Sequence, residues 1–416
     1  MKSGWPTKNL ADVADSISTG PYGSMLHKSD YVPDGIPLVN PVNMVDARIV
    51  PSDKMMINEE TRHRLSKYVL RAGDVVVARR GELGRCALVT ENEDGWLCGT
   101  GSCFIRLSDQ VDERFFVLLF GSSRFRELLE GSSVGTTMSN LNHGILKSLP
   151  VPVPPLHEQR RIVGILDEAF AGIATAKANA EKSLQNARAL FESHLNAVFT
   201  QRGDGCAEKR LQDVCSFSSG GTPSKKNDSY WKGNIPWISG RDMKSTQLSD
   251  SALHISQKAV DESSTRMAPA GSLLTLVRGM GLAHGAQIAE LMVPCAFNQD
   301  IRAIHPDPDI VPRYLLFALK TRINTSDNVM SNAAHGTMKI DMDELKNVPI
   351  PVPSPEHQDR IVRQIGSLSE ATQRLESIYQ RKLDALDELK KSLLHQAFSG
   401  KLPRTAEDEP SETMIS

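Results

Sequence analysis

Arginines bracketed by glycine occur at two places in this chain. Arg79, Arg80 and Arg85 surround Gly81 and Gly84 in AGDVVVARRGELG, which starts at Ala72, and Arg278 is followed by Gly279 and Gly281 in AGSLLTLVRGMGL, which starts at Ala270. Glycine lets a backbone come close to a phosphate, and a guanidinium can grip a phosphate or a guanine edge with two parallel hydrogen bonds. The chemistry suggested is recognition of a polyanion. For any one arginine the competing role is a salt bridge to a neighbouring acid on a solvated hairpin. That both arrangements recur at matching places weighs for binding. A second basic group, Lys225, Lys226, Lys232 and Arg241, lies close in sequence to Tyr230, Trp231 and Trp237. The lysines are expected to face a polyanion, and Trp237 is expected in a core.

Catalytic patterns come only as near misses. GGTPSKK at Gly220 is too short and differently spaced for a nucleotide-binding loop. His157 and Glu158 are followed by Arg161 where a zinc-binding helix needs a second histidine. VNPVN at Val39 is similar to the asparagine-proline-proline-aromatic loop of amino-methyltransferases but lacks the second proline and the ring, and GTGSC at Gly99 is read as a turn. No catalytic residue, metal ligand or bound cofactor is expected on this chain.

The elements that must position the basic residues are written twice. LPVPVPPLHEQRRIV from Leu149 is answered by VPIPVPSPEHQDRIV from Val348. LADVADSISTG from Leu10 pairs with LQDVCSFSSGG from Leu211, IPLVNPVNM from Ile36 with IPWISGRDM from Ile235, GTTM at Gly135 with GTM at Gly336, and LNAVFTQR from Leu195 with LHQAFSGK from Leu394. With the two arginine segments, the anchors keep one order at offsets of 198 to 201, a tandem duplication.

Each copy has two unlike parts. Residues 1–156 and 204–355 carry short apolar runs punctuated by Gly, Pro, Asn and Asp, as in a mixed α/β globule, with helices expected near Glu113 to Leu129 and Pro312 to Thr321. The V-P-V-P phrase is read as an extended connector, because proline fixes φ and forbids helix before the break. Beyond Pro155 and Pro355, proline-free runs extend from His157 to Thr200 and from Glu356 to Ser399.

In the first run apolar residues recur at Leu166, Ala169, Ile173, Ala176, Ala180, Leu184, Ala187, Phe191, Leu195 and Val198. In the second they recur at Ile361, Ile365, Leu368, Leu375, Ile378, Leu383, Leu386, Leu389, Leu393 and Ala397. Gaps of three and four predict one apolar stripe along a helical rod of roughly 66 Å at 1.5 Å per residue. Neither stripe can stay in water, and the rods are expected to pair with each other, antiparallel, over 157–203 and 356–402. The expected architecture is therefore α+β: two pseudo-twofold mixed α/β globules separated by an antiparallel coiled coil of two long helices. The acidic segment 403–416, which includes TAEDEPSETMIS, is expected to be disordered.

Composition narrows the class without choosing a partner. The 416 residues hold 40% hydrophobic residues, enough for two or three cores, and 48 basic against 50 acidic residues give a net charge of -2. Six cysteines, at 86, 98, 103, 206, 215 and 295, form no CxxC pair, which points to free thiols in a reducing cytoplasm. No apolar run suits a signal peptide or a membrane span, so a cytoplasmic protein with no membrane partner is expected.

SSGGTPSKKNDSYWKGNIPWISGRDM and STGPYGSMLHKSDYVPDGIPLV resemble the opening segments of target recognition domains in the specificity subunits of type I restriction-modification systems. PVPPLHEQRRI and PVPSPEHQDRI, followed by long helices ending AVFTQR and QAFSGKL, resemble that family's conserved spacer regions, and the likeness covers roughly residues 5 to 402. The resemblance implies a noncatalytic subunit that binds double-stranded DNA at a bipartite, asymmetric target. It implies two methylation subunits and restriction/motor subunits as partners, with S-adenosylmethionine, ATP and Mg held by them. A structural coiled-coil scaffold, or a divergent methyltransferase or nuclease component, is the alternative.

Overall fold

The computed structural model describes residues 5–52, 54–132, 141–200, 207–326, 328–332 and 338–402. The GTTM anchor, most of its GTM counterpart, Cys206 and the acidic segment lie outside the described residues. The chain divides into two compact units, Met1–Glu181 with Gln380–Ser416, and Lys182–Tyr379. Each unit holds one globule, the beginning of one long helix and the end of the other.

In the first unit the central antiparallel sheet has the order Ala14–Thr19, Ser102–Leu107, Val75–Ala78, Cys86–Leu88. Within the GDVVVA run the strand Val75–Ala78 is apolar at every position because both its faces are covered. Val75 and Val77 join a core with Ile105, Phe115 and Phe116, while Val76 and Ala78 face Val39, Met44 and Phe104. A smaller sheet orders Leu97–Cys98, Ile36–Val39, Met56–Ile57 and Tyr31–Val32. The single helix expected near Glu113 to Leu129 is two, Glu113–Phe120 and Ser123–Ser132. The break falls at Gly121 and Ser122, where the Ser122 hydroxyl donates to the Leu119 carbonyl at 2.6 Å and accepts from the Phe125 N–H at 3.3 Å. A side chain that bonds local backbone offers an alternative to continuing the helix.

The second unit repeats the plan with different side chains. Its main sheet runs Cys215–Ser219, Ile301–Pro306, Leu273–Leu276, Ile288–Leu291, Gln247–Leu248, and its core helix spans Pro312–Asn324 with proline in the first turn. In both units the proline phrase is extended and also paired. Pro150–Pro152 is antiparallel to Thr7–Asn9, and Pro349–Val352 to Ala207–Arg210. A two-stranded ribbon tolerates proline because each strand has a free edge.

The long helices are Leu156–Thr200 and Pro355–Ser399, 45 residues each. Within the first unit Lys177 meets Asp387 at 2.9 Å, and Lys390 lies over the Phe170 ring at 5.4 Å. Within the second, Arg188 meets Glu376 at 2.6 Å, and Phe191, Leu195 and Val198 pack in one cluster with Ile361 and Ile365. As numbers rise along one helix they fall along the other, so each pairing is antiparallel. The seam is narrower than the stripe: Leu375, Ile378 and Leu389 of the second helix are 43–49% exposed. A two-helix seam covers little more than two positions in seven, and a stripe of mixed three- and four-residue gaps overruns it.

Each globule is tied to the helices at two points. Gln159, fully buried, accepts the Asp112 N–H at 2.8 Å through Oε1, while its Nε2 donates to the carbonyls of Gln110 at 2.9 Å and Pro154 at 2.8 Å. Gln358 does the same in the other unit, with the Val311 N–H at 2.8 Å and the carbonyls of Asp309 at 3.0 Å and Pro353 at 2.9 Å. The second tie is aromatic. Phe398 packs edge-on against Phe115 with centroids 5.6 Å apart, and the Phe199 ring lies tilted against Tyr314 at 5.4 Å.

Replacing Gln159 or Gln358 by leucine strands a buried N–H and two carbonyls, and is expected to cost about 3 kcal/mol of stability. Replacing the exposed neighbour His357 by alanine should change stability by less than about 0.5 kcal/mol. Denaturant unfolding of the three variants checks both values.

Candidate nucleic-acid interface

In the second unit the strand Leu273–Leu276 runs out at Val277, and Arg278–Gly279 forms a short strand against Met338–Ile340. On the neighbouring sheet Ile235–Ile238 ends in a turn whose Ser239 N–H donates to Asp242 Oδ2 at 2.8 Å. The two strand ends converge on an open cleft lined by Arg241, Lys244, Arg278, Met280, Gln287 and Asn298. Arg241 and Arg278, which the sequence could only suggest separately, therefore share one site. Both are exposed, and neither has an ion pair among the described residues. Asp300, also in the lining, accepts the Asn298 side-chain amide at 3.4 Å.

Register adds a cation that sequence reasoning missed. Arg278 stands directly opposite Lys339. Side chains directly opposite in an antiparallel pair point the same way, and like charges there repel. Two cations placed so, one of them, Arg278, lining the cleft with Arg241 and Lys244, are an arrangement that a bound polyanion relieves. Lys339 carries no local signal in GTMKID; only strand pairing brings it there.

Lys225 and Lys226 do not line this cleft. They occupy an exposed turn, held through the tryptophans: Trp231 Nε1 donates to the Ser224 carbonyl at 3.2 Å, Trp237 Nε1 to the Gly221 carbonyl at 3.0 Å, and the two rings meet edge-on at 5.1 Å. Trp237 is buried, as expected, and Lys232 is exposed.

In the first unit the three arginines part company. The Arg79 backbone is pinned between Gly101 and Leu141, and its buried Nε has no hydrogen-bond partner among the described residues. It lines a groove with Tyr22, Lys67, Tyr68, Asn142 and His143. Tyr22, 65% exposed, and Lys67 are further residues the sequence did not single out. Arg80 is exposed with no ion pair among the described residues. Arg85 faces a different cleft and binds Glu82 at 2.6 Å, the local pairing weighed above. Gly81 and Gly84, at φ of 81° and 88°, supply the left-handed backbone that the turn between these arginines requires.

Among the described residues no cluster of three or more His, Cys, Asp or Glu could hold a metal, and no helix is long and apolar enough to cross a membrane. Five cysteines are free and buried, and burial pushes the thiols of Cys86, Cys103 and Cys215 up to about 12 and that of Cys295 to about 11. His305 bridges the Ser218 hydroxyl at 2.8 Å and the Ser272 hydroxyl at 3.0 Å across three strands, and burial lowers its pKa below the ordinary histidine value. With both ring nitrogens engaged it is a tie within the sheet.

A family model described as the type I restriction modification DNA specificity domain matches residues 2–185 and again 204–383. The specificity subunit of the type I restriction enzyme EcoR124I/EcoR124II of Escherichia coli is 31% identical over 242 residues, 57% of this chain and 58% of that one. The specificity subunit of MjaIX from Methanocaldococcus jannaschii is 34% identical over 37% of this chain and 35% of its own. The matched segment thus spans about half or less of these relatives' length. A structure reported for complex assembly and conformational transition of the type I R-M system shares the fold at a TM-score of 0.75, with 22% identity, covering 97% of this chain and 99% of that one. The HsdS subunit from Thermoanaerobacter tengcongensis does so at 0.60, with 21% identity over 96% and 98%.

Two outcomes follow from the site's geometry. The five described cysteines should resist a thiol reagent in the native chain at about pH 8, where a free thiol is partly ionised, and react after denaturation; mass spectrometry of the labelled peptides reads this. Arg85→Ala, which breaks an exposed pair, should shift stability by under about 1 kcal/mol, as thermal melting will show.

Proposed function

Since the chain belongs to the family of type I restriction-modification DNA specificity domains and carries the domain twice, we propose that it is the specificity subunit of such a complex, each globule reading one half of a bipartite double-stranded target. The observation that carries this reading is the second globule's cleft, where Arg278 and Lys339 are register partners and Arg241 and Lys244 share the site. Phosphates neutralise such a group and release counterions, and an arginine lining an open cleft is suited to the two acceptors of a guanine edge. Arg79, Arg80, Tyr22 and Lys67 take the corresponding part in the first globule, and Lys225 and Lys226 contact backbone phosphate beside the second.

The chain itself carries out no bond-making step. The two methylation subunits bring S-adenosylmethionine and the adenine chemistry, and the restriction/motor subunits bring ATP and Mg. Leucines and isoleucines left open on the paired helices, such as Leu375 and Ile378, offer the methylation subunits apolar ground. The complex works in the cytoplasm, where its DNA is. Two different globules imply two different half-sites, because Arg241 and Lys244 on one have no basic counterpart on the other.

Mapping methylated adenines in cells that express this chain with its methylation partners is the direct test: a split, asymmetric motif is expected, and no motif at all refutes the reading. Arg278→Ala should weaken target binding by about 1–3 kcal/mol if the arginine reads a base, and by less, with a shallower salt dependence, if it holds phosphate. Exchange of residues 204–355 for another recognition domain should alter one half-site and leave the other as it was.

A further inference from the structure

The turn that presents Arg241 has a twin in the first globule. Asn40–Asn43 closes as Ser239–Asp242 does: the Asn43 N–H donates to the Asn40 carbonyl at 2.9 Å, and the Asp242 N–H to the Ser239 carbonyl at 3.0 Å. The first residue's N–H returns to the fourth residue's side chain in both, at 3.0 Å on Asn43 Oδ1 and 2.8 Å on Asp242 Oδ2. A buried methionine follows each, Met44 and Met243.

The surroundings also match. Gly99 N–H donates to the Val39 carbonyl at 2.9 Å, and Arg79 N–H to the Gly101 carbonyl at 3.0 Å; Asn298 N–H donates to the Ile238 carbonyl at 3.0 Å, and Val277 N–H to the Asp300 carbonyl at 2.8 Å. The third residue of the turn therefore stands in one backbone frame in both globules, at the edge that carries Arg80 in one and Arg278 in the other. In the second globule that residue is Arg241. In the first it is Val42, 63% exposed, with Val50, 50% exposed, next to it through the Val50 N–H to Asn43 carbonyl bond of 2.8 Å.

A lone exposed valine on a protein surface is ordinary. A valine at the place where the sister domain presents a guanidinium is not. Resting on the DNA-recognition reading above, we infer that Val42 reads the first half-site by apolar contact with the C5-methyl group of a thymine, at the position where Arg241 meets a guanine in the second half-site. In the major groove only thymine offers a methyl group, and only guanine offers two acceptors side by side. The two globules thus use one frame with two chemistries, and the first half-site contains an A·T pair at that step.

The test uses the full chain assembled with its methylation subunits and duplexes bearing the mapped target. Each thymine of the first half-site is replaced singly by deoxyuridine, which lacks only the methyl group. One replacement should weaken binding about fourfold, the worth of one buried methyl, and Val42→Ala should weaken binding to the unmodified target about four- to fifteenfold. In Val42→Ala the deoxyuridine penalty should vanish, while Val42→Thr, which keeps one methyl, should retain part of it. Val42 is surface-exposed, and unchanged thermal melting verifies that the variants fold. The inference is overturned if no thymine shows the effect, if the half-site has no A·T pair, or if the penalty is the same in Val42→Ala as in the parent. Arg241→Ala separates the two levels: a loss of roughly tenfold or more with the second half-site relaxed sustains the recognition reading even where Val42 fails, and no effect from Arg241→Ala and Arg278→Ala removes both.

Discussion

A buried glutamine at the first turn of each long helix is the contact on which the rest of the molecule depends. Gln159 and Gln358 are each enclosed, and each satisfies one donor and two acceptors drawn from the proline connector and from the loop that leads into the globule's core helix. A side chain with three fixed partners in a dry site sets both the position and the direction of what it belongs to. The aromatic contact at the far end of the other helix, Phe398 on Phe115 or Phe199 on Tyr314, then takes the remaining freedom from the same globule. The proline phrase, which holds the glutamine, is accordingly the best-kept part of the duplication, and the terminal phrase keeps its leucine and its phenylalanine. Around the glutamine the neighbours interchange, His157-Glu158 in one copy and Glu356-His357 in the other, largely toward solvent.

Much of this architecture was legible in the sequence, because duplication and helical periodicity are properties of spacing. The long helices extend over the proline-free runs, and the apolar run at Val75 is a strand buried on both sides. What spacing could not show was which part of an apolar stripe a single partner helix covers, so Leu375, Ile378 and Leu389 are open to solvent. Nor could it show that Ser122 would interrupt the helix after Phe120, since the deciding bonds join a side chain to a particular carbonyl and N–H. Glutamine itself gives no periodic signal, and its role becomes visible only with its three partners in place.

The candidate site was legible as residue types and illegible as a constellation. Arg241 and Arg278 belong to different segments, and it is the convergence of two strand ends that joins them. Lys339 enters through cross-strand register, and Tyr22 and Lys67 through a groove between loops. Arg85 could not be told from Arg80 in sequence, yet among the described contacts Glu82 pairs with Arg85 and Arg126 and not with Arg80. A net charge of -2 says nothing of this, because acids elsewhere cancel a cationic edge in the total while leaving its local field intact.

Phe398 and its neighbours Ala397 and Leu402 complete a core whose remaining buried members, Phe115, Phe116 and Leu166 among them, leave the ribosome far earlier. At ordinary translation rates the delay is on the order of tens of seconds. Throughout that interval the nascent first globule shows an unfilled aromatic socket and one unpaired amphipathic helix, the kind of surface that chaperones hold and that neighbouring nascent chains can invade. Contacts between residues so distant in sequence also slow the final closure, since a long loop must be gathered before any burial rewards it. Topology thus places the vulnerable moment of this molecule in its synthesis, before any DNA is met.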